Sequence, residues 1–158
     1  MRAHGLELSG QWKPELLSGR VYFNTNASYN KARFADGYPG FAIAGNALPD
    51  FPELVVQSGV TIEPLPGTLV NLSARLIESR YSNFVNSQQI GGYAVLNGYV
   101  ELGEGFTFGP LEEVRLRVNV DNILDRDYLG TITTTTNQPA TFRPGPPRTV
   151  QVTLSAQL

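Results

Sequence analysis

The last ten residues, TVQVTLSAQL (149–158), set Val150, Val152, Leu154, Ala156 and Leu158 alternately with Thr149, Gln151, Thr153, Ser155 and Gln157. Successive side chains of an extended strand point to opposite faces, so an unbroken period of two describes a strand that is apolar on one side and polar on the other. The segment before it repeats the pattern. Val114, Leu116, Val118 and Val120 face one way, and Arg115, Arg117, Asn119 and Asp121 the other.

Working back along the chain, Ala94, Leu96, Gly98, Val100 and Leu102 oppose Tyr93, Val95, Asn97, Tyr99 and Glu101. Val70, Leu72, Ala74 and Leu76 oppose Asn71, Ser73 and Arg75. Leu54, Val56, Ser58, Val60 and Ile62 oppose Gln57, Gly59, Thr61 and Glu63. Val21, Phe23, Thr25, Ala27 and Tyr29 oppose Tyr22, Asn24, Asn26, Ser28 and Asn30. A first strand, short and less regular, sets Leu6 and Leu8 against Glu7 and Ser9 and ends near Trp12. Seven antiparallel strands and no helix are predicted.

The connections alternate as well. Short Pro- and Gly-rich turns fall at Pro14–Gly19, Pro64–Thr68 and around Gly105–Glu112; long ones fall at Ala35–Pro52, Ser82–Gly92 and Leu129–Arg148. An up-and-down transmembrane barrel has this arrangement, with short periplasmic turns and longer extracellular loops. Most of the strands reach the roughly 9–11 residues that a tilted membrane-spanning strand needs. Trp12, Phe34, Tyr81, Phe84, Tyr93, Phe106, Phe108 and Tyr128 gather near strand ends, as interfacial girdles would require.

Composition narrows the function. A net charge of -2 and a pI near 5.4 give no electrostatic footprint for nucleic acid. No run of apolar residues approaches the length of a membrane helix, and Met1–Gly5 lacks the apolar core of a signal peptide. The absence of cysteine excludes disulfides, thiolate metal sites and cysteine nucleophiles. His4 is the sole histidine and reads as a surface residue near a strand start. Asp121, Asp125 and Asp127 lack the Gly and terminal Glu of a calcium loop. Gly103, Gly105 and Gly109 precede no helix that could hold phosphate. Glu112 and Glu113, adjacent and therefore on opposite faces, read as a solvated turn. Pro144–Pro147 reads as a stiff lead into the last strand. No catalytic, metal or cofactor site is expected. Arg75, Arg115 and Arg117 would line a barrel interior, paired with Glu101 and similar neighbours rather than reserved for a plug.

Strand parity adds an expectation. The last strand follows a long loop and ends on the periplasmic side, and counting back through seven strands puts the first residue outside the cell. Complete bacterial barrels have even strand numbers, so sequence is expected upstream. An eighth strand hidden in Thr131–Thr136 would change that count. Seven strands also make a sheet only about 34 Å wide with two bare edges, which lipid does not tolerate.

Several stretches carry a family likeness. Val120-Asp121-Asn122-Ile123-Leu124-Asp125-Arg126-Asp127-Tyr128 resembles the penultimate-strand motif of TonB-dependent outer-membrane receptors, in which an Asn and a later Tyr bracket the strand end and the start of the last extracellular loop. Pro144-Gly145-Pro146-Pro147-Arg148-Thr149-Val150 is similar to that family's entry into its final strand. Gly5–Leu8 and Gly92–Asn97 resemble earlier strands. The family usually ends in an aromatic residue, where this chain has Leu158. The resemblance implies a C-terminal segment, residues 1–158, of a 22-stranded barrel. It implies energy-dependent uptake of iron-siderophore or another scarce solute across the outer membrane of a Gram-negative bacterium. The partners it implies are the lipid bilayer, the barrel-assembly machinery through Val150–Leu158, the TonB system through an absent plug, and a small-molecule ligand at loops 35–52, 82–92 and 129–148. A complete eight-stranded barrel with a structural or adhesion role and a soluble β-sandwich binding module stand as the rival readings.

Overall fold

In the computed structural model, described over residues 1–15, 18–37, 40, 42–103, 107, 109–135 and 138–157, eleven strands follow one another. They are β1 (Arg2–Trp12), β2 (Val21–Arg33), β3 (Leu54–Ile62), β4 (Thr68–Ile77), β5 (Arg80–Tyr81), β6 (Gln89–Ile90), β7 (Tyr93–Leu102), β8 (Glu112–Asp121), β9 (Leu129–Thr133), β10 (Thr141–Pro144) and β11 (Thr149–Gln157). Seven of them form one sheet in the order β1-β2-β3-β4-β7-β8-β11, every neighbour antiparallel. This is the predicted meander, an open part of a barrel wall. The other four make two-stranded ribbons, β5 with β6 and β9 with β10. The Thr131–Thr136 run therefore adds no eighth strand to the sheet; its described part pairs within its own loop. Residues Thr136, Phe106, Phe108, Gly105 and Leu158 lie outside the described residues.

Register explains why the two faces stay distinct. Trp12, Phe23, Val60, Leu72, Gly98, Val120 and Val150 are successive cross-strand partners, one apolar row running through all seven strands. One row away, Tyr22, Thr61, Asn71, Tyr99, Asn119 and Gln151 form a polar row through six strands. A slip of one residue in any pair would exchange the faces. Gly98 sits where a side chain has no room: a Cβ there would lie 2.7 Å from the Asn71 carbonyl and 3.4 Å from Ile123 Cδ1.

Two details differ from the sequence reading. β1 starts at Arg2 rather than Leu6, because the thirteen-residue β2 extends far enough to pair Arg2 with Arg33 and His4 with Lys31. Glu112 and Glu113 open β8 instead of lying in a turn. A register shift between Ser155 and Gln157 on β11 faces that start, where Glu113 takes a left-handed φ of 48°.

The distribution of exposure is the inverse of a soluble core. Leu6, Leu8, Leu72, Leu76, Val100, Leu102, Leu116, Val150, Val152 and Leu154, all on the apolar face, are exposed. The buried apolar side chains are Ala32, Ile43, Ala47, Ile77, Val95 and Ile132, which gather at the end of the sheet carrying the long connections.

Candidate functional site

The long connections predicted as ligand loops, 35–52, 82–92 and 129–148, meet at one end of the sheet, and polar side chains tie them together. The first folds back on β2: the Phe34 and Leu48 amides donate to the Asn46 and Ala32 carbonyls at 3.0 and 3.2 Å, and Arg33 forms an ion pair with Glu53 at 3.2 Å. Its end supplies Asp50, held at a φ of 51°. The Asp50 carboxylate accepts from Arg80 Nε at 2.6 Å through Oδ1 and from the Ile132 amide at 3.0 Å through Oδ2. Arg80 then donates through Nη2 to the Leu129 and Gly130 carbonyls at 2.7 and 3.0 Å, and its guanidinium lies 5.6 Å from the centre of the Tyr93 ring. One arginine on β5, just before the second connection and with a side chain only 2% exposed, thus joins the first connection to the third.

Asparagines complete the knot. The Asn86 side chain takes the Ala47 amide at 2.7 Å and gives to its carbonyl at 3.0 Å, completing a β-like pairing between first and second connections. Asn46 donates to the Phe84 carbonyl at 2.9 Å, and Phe34 meets Phe84 edge to face at 5.8 Å. The Thr134 hydroxyl donates to the Ser82 carbonyl at 2.7 Å, linking second and third.

The resembling motif around Asn122 is the root of the third connection. Asn122, almost fully buried with a φ of 51°, receives the Arg126 amide on Oδ1 at 2.9 Å. It donates from Nδ2 to the Arg126 and Pro146 carbonyls at 2.9 and 3.2 Å, and its own amide donates to Asn97 Oδ1 at 2.9 Å. Asparagine tolerates left-handed backbone because its short amide bonds locally. Tyr128 packs on Tyr93 with ring centres 4.4 Å apart, and its carbonyl accepts the Gly145 amide at 2.8 Å. A Cβ at Gly145 would collide with the Tyr128 ring. The two motifs quoted from sequence therefore lie against each other. Burial pushes the Tyr128 hydroxyl pKa above its ordinary 10.0, helped by Tyr93 and Asp121 and opposed by Arg75.

Other expected residues fall as follows. Arg117 pairs with Glu101 at 3.3 Å, bonds Asn119 at 2.9 Å and stacks 3.6 Å over Tyr99, as the polar-face reading expects. Arg115 pairs with Glu113 at 3.2 Å, while Arg75 has no carboxylate partner among the described residues. Asp125 receives the Arg148 amide at 2.9 Å and closes a turn, and no acidic group able to hold a metal occurs among the described residues. Of the expected girdle, Trp12 stacks on Phe23 at the exposed apolar face. Phe34 and Phe84 form one pair and Tyr93 and Tyr128 another at the loop end, since rings there can bury against neighbouring loops. Sequence reading missed Asp50, Arg80 and Asn86, whose partners across the connections lie 30 to 82 residues away.

Residues 1–123 match the family model described as TonB dependent receptor-like, beta-barrel. The chain belongs to this family of receptor barrels. Solved structures agree on the fold. The ferric citrate transporter FecA in its unliganded form superposes with a TM-score of 0.79 at 21% identity, covering 94% of this chain and 23% of that one. The ferric yersiniabactin uptake receptor FyuA from Yersinia pestis gives 0.73 at 21%, covering 95% and 22%. BauA, the ferric preacinetobactin receptor from Acinetobacter baumannii, gives 0.73 at 17%, covering 98% and 22%. The chain thus spans less than a quarter of these relatives' length. None of the curated proteins matches it by sequence. Membership of a receptor family agrees with the expectation that the chain is not an enzyme.

Proposed function

We propose that this chain is part of an outer-membrane receptor of a Gram-negative bacterium, forming seven consecutive strands, in the C-terminal part, of a larger closed barrel of the 22-stranded type. The observation that carries the proposal is the inverted exposure: an apolar row crosses seven strands with no second layer over it among the described residues, while the buried apolar side chains sit at the loop end. Lipid solvates such a face, and it requires every sheet edge to be paired. The bare edges, β1 and β11, await further strands of that barrel. The knotted connections 35–52, 82–92 and 129–148 would then face outward and gather a ferric siderophore or another scarce solute. Uptake would be energised through a plug and the TonB system, and β11 together with Leu158 would be read by the barrel-assembly machinery. The complete eight-stranded barrel loses its support because β9 pairs with β10 alone. A β-sandwich loses its support because no second sheet covers the apolar face among the described residues.

Sidedness tests this. In cells expressing the full receptor, Val85→Cys and Gln138→Cys should react with a membrane-impermeant maleimide, and Leu65→Cys, on a short turn, should not. Labelling at Leu65 with silence at the other two would overturn the topology.

A further inference from the structure

Between the second and third long connections lies a cleft of about 320 Å³, and the ten described residues that line it include no charged side chain. Elsewhere in the same region charge is plentiful: the neighbouring cleft at the sheet's polar face, about 330 Å³, holds Arg75 and Asp121. The neutral cleft instead combines two phenyl rings, Phe84 and Phe142, with the amides of Asn83, Gln88 and Gln138 and the Thr135 hydroxyl. We infer that this cleft binds an uncharged carbohydrate, its ring against the phenyl groups and its hydroxyls against the amides.

The chemistry points there for three reasons. An amide both donates and accepts, as a sugar hydroxyl does, so neutral amides can satisfy a hydroxyl cluster without a formal charge. Phenyl faces take the apolar C–H face of a pyranose, and pockets that bind small molecules commonly mix rings with a few placed polar groups. An anionic chelate held here would meet no cation, and burying charge unpaired is costly.

The walls are also held in place before any ligand arrives. The Ser82 hydroxyl donates to Gln88 Oε1 at 2.7 Å, and the Ser82 amide donates to the Gln88 carbonyl at 3.0 Å. Asn83 and Ser87 share two bonds, at 2.8 and 3.0 Å. Phe84 is braced by Phe34, and Thr134 fixes the third connection to the second. Ser82 fixes the Gln88 amide through one lone pair of Oε1, and the two Nε2 hydrogens of that amide make no bond among the described residues and are left for a ligand. Preorganisation of this kind lowers the entropy lost on binding. The inference rests on the receptor reading above and narrows its solute class.

The test uses the complete purified receptor and calorimetric titration with maltotriose, cellotriose and chitotriose, with ferric citrate alongside. At least one trisaccharide should bind. Phe142→Ala and Gln138→Ala, both at exposed positions, should each weaken it at least tenfold, and Leu65→Ala, on a remote turn, should leave it unchanged. Heat-modifiable migration on gels confirms that each variant is folded. Binding of none of the three sugars, or sugar binding indifferent to both cleft substitutions, overturns the inference. So does ferric citrate binding that both substitutions abolish; that outcome would leave the receptor reading standing. Failure of the receptor reading would show separately, as reversed maleimide labelling.

Discussion

The wall and the crown of this molecule are built on opposite rules. In the wall, backbone ladders satisfy the polar groups, and side chains need only be apolar on one face and polar on the other. Leu72, Leu116 and Val152 are interchangeable in kind, and none needs a particular partner. In the crown, few backbone ladders exist, and specific side chains do the joining: Asp50, Arg80 and Asn86 close bonds between segments 30 or more residues apart, and Asn122 reaches Pro146, 24 residues on. The wall therefore tolerates substitution within a class, while the crown depends on single residues.

The sharpest way to break that contrast is at Asp50. Asp50→Ala would leave the Arg80 guanidinium buried without its counter-ion, a loss of roughly 3–5 kcal/mol for a broken buried pair. Because the damage is local, hydrogen exchange at the Ile132 amide should quicken sharply while β4 and β7 amides keep their protection. Loss of protection throughout the sheet would mean that wall and crown unfold as one unit.

Next in size is the wall. Leu72→Arg in the complete barrel should cost about 2–4 kcal/mol near the membrane midplane, measured by folding into lipid vesicles, and Ser73→Arg, one residue on, should be mild. Equal costs would erase the distinction between faces.

Asn122 sharpens the comparison from the other side. Asn122→Ala removes its side-chain bonds and leaves a β-carbon in left-handed backbone, so about 1–3 kcal/mol is expected. Asn122→Gly relieves the backbone but restores no bond, and should recover only part. Full recovery with Gly would show that φ, rather than the Arg126 and Pro146 carbonyls, is what matters there.

The smallest effect is one of pH. Burial holds the folded Tyr128 hydroxyl above the 10.0 of an unfolded chain. Its contribution is complete below pH 10 and declines as pH rises through the folded value. Alkaline titration should loosen the third connection above pH 10, seen by proteolysis between residues 129 and 148, and Tyr128→Phe should flatten that dependence.

How much of this was legible follows from the same contrast. Periodicity carries the wall: from Val21 onward the faces and neighbours agree with the alternation, because each strand must match its partner over many residues. The β5–β6 ribbon and β10 were missed because two to four residues give no period, and the extra strand raised in Thr131–Thr136 was a candidate for an eighth wall strand, where β9 pairs only with β10. Asp50 and Arg80 were missed because an ion pair spanning 30 residues leaves no mark in either local sequence. The Asn122 and Tyr128 motif was legible by resemblance alone; its physical reason, a buried amide in left-handed backbone, needed coordinates.

The root of the third connection has one more consequence. With Asn122 gripping Arg126 and Pro146, and Gly145 seated against Tyr128, the two ends of that loop are already brought together before its tip begins. Lengthening the tip then adds little closure entropy, only about 0.6 kcal/mol per doubling of a flexible loop. Residues 135–140, beyond the Thr134 tether to Ser82 and the Thr133–Thr141 pair, can therefore be exchanged as a cartridge is exchanged in a fixed mount, and new ligand specificities could be grafted there without redesigning the barrel.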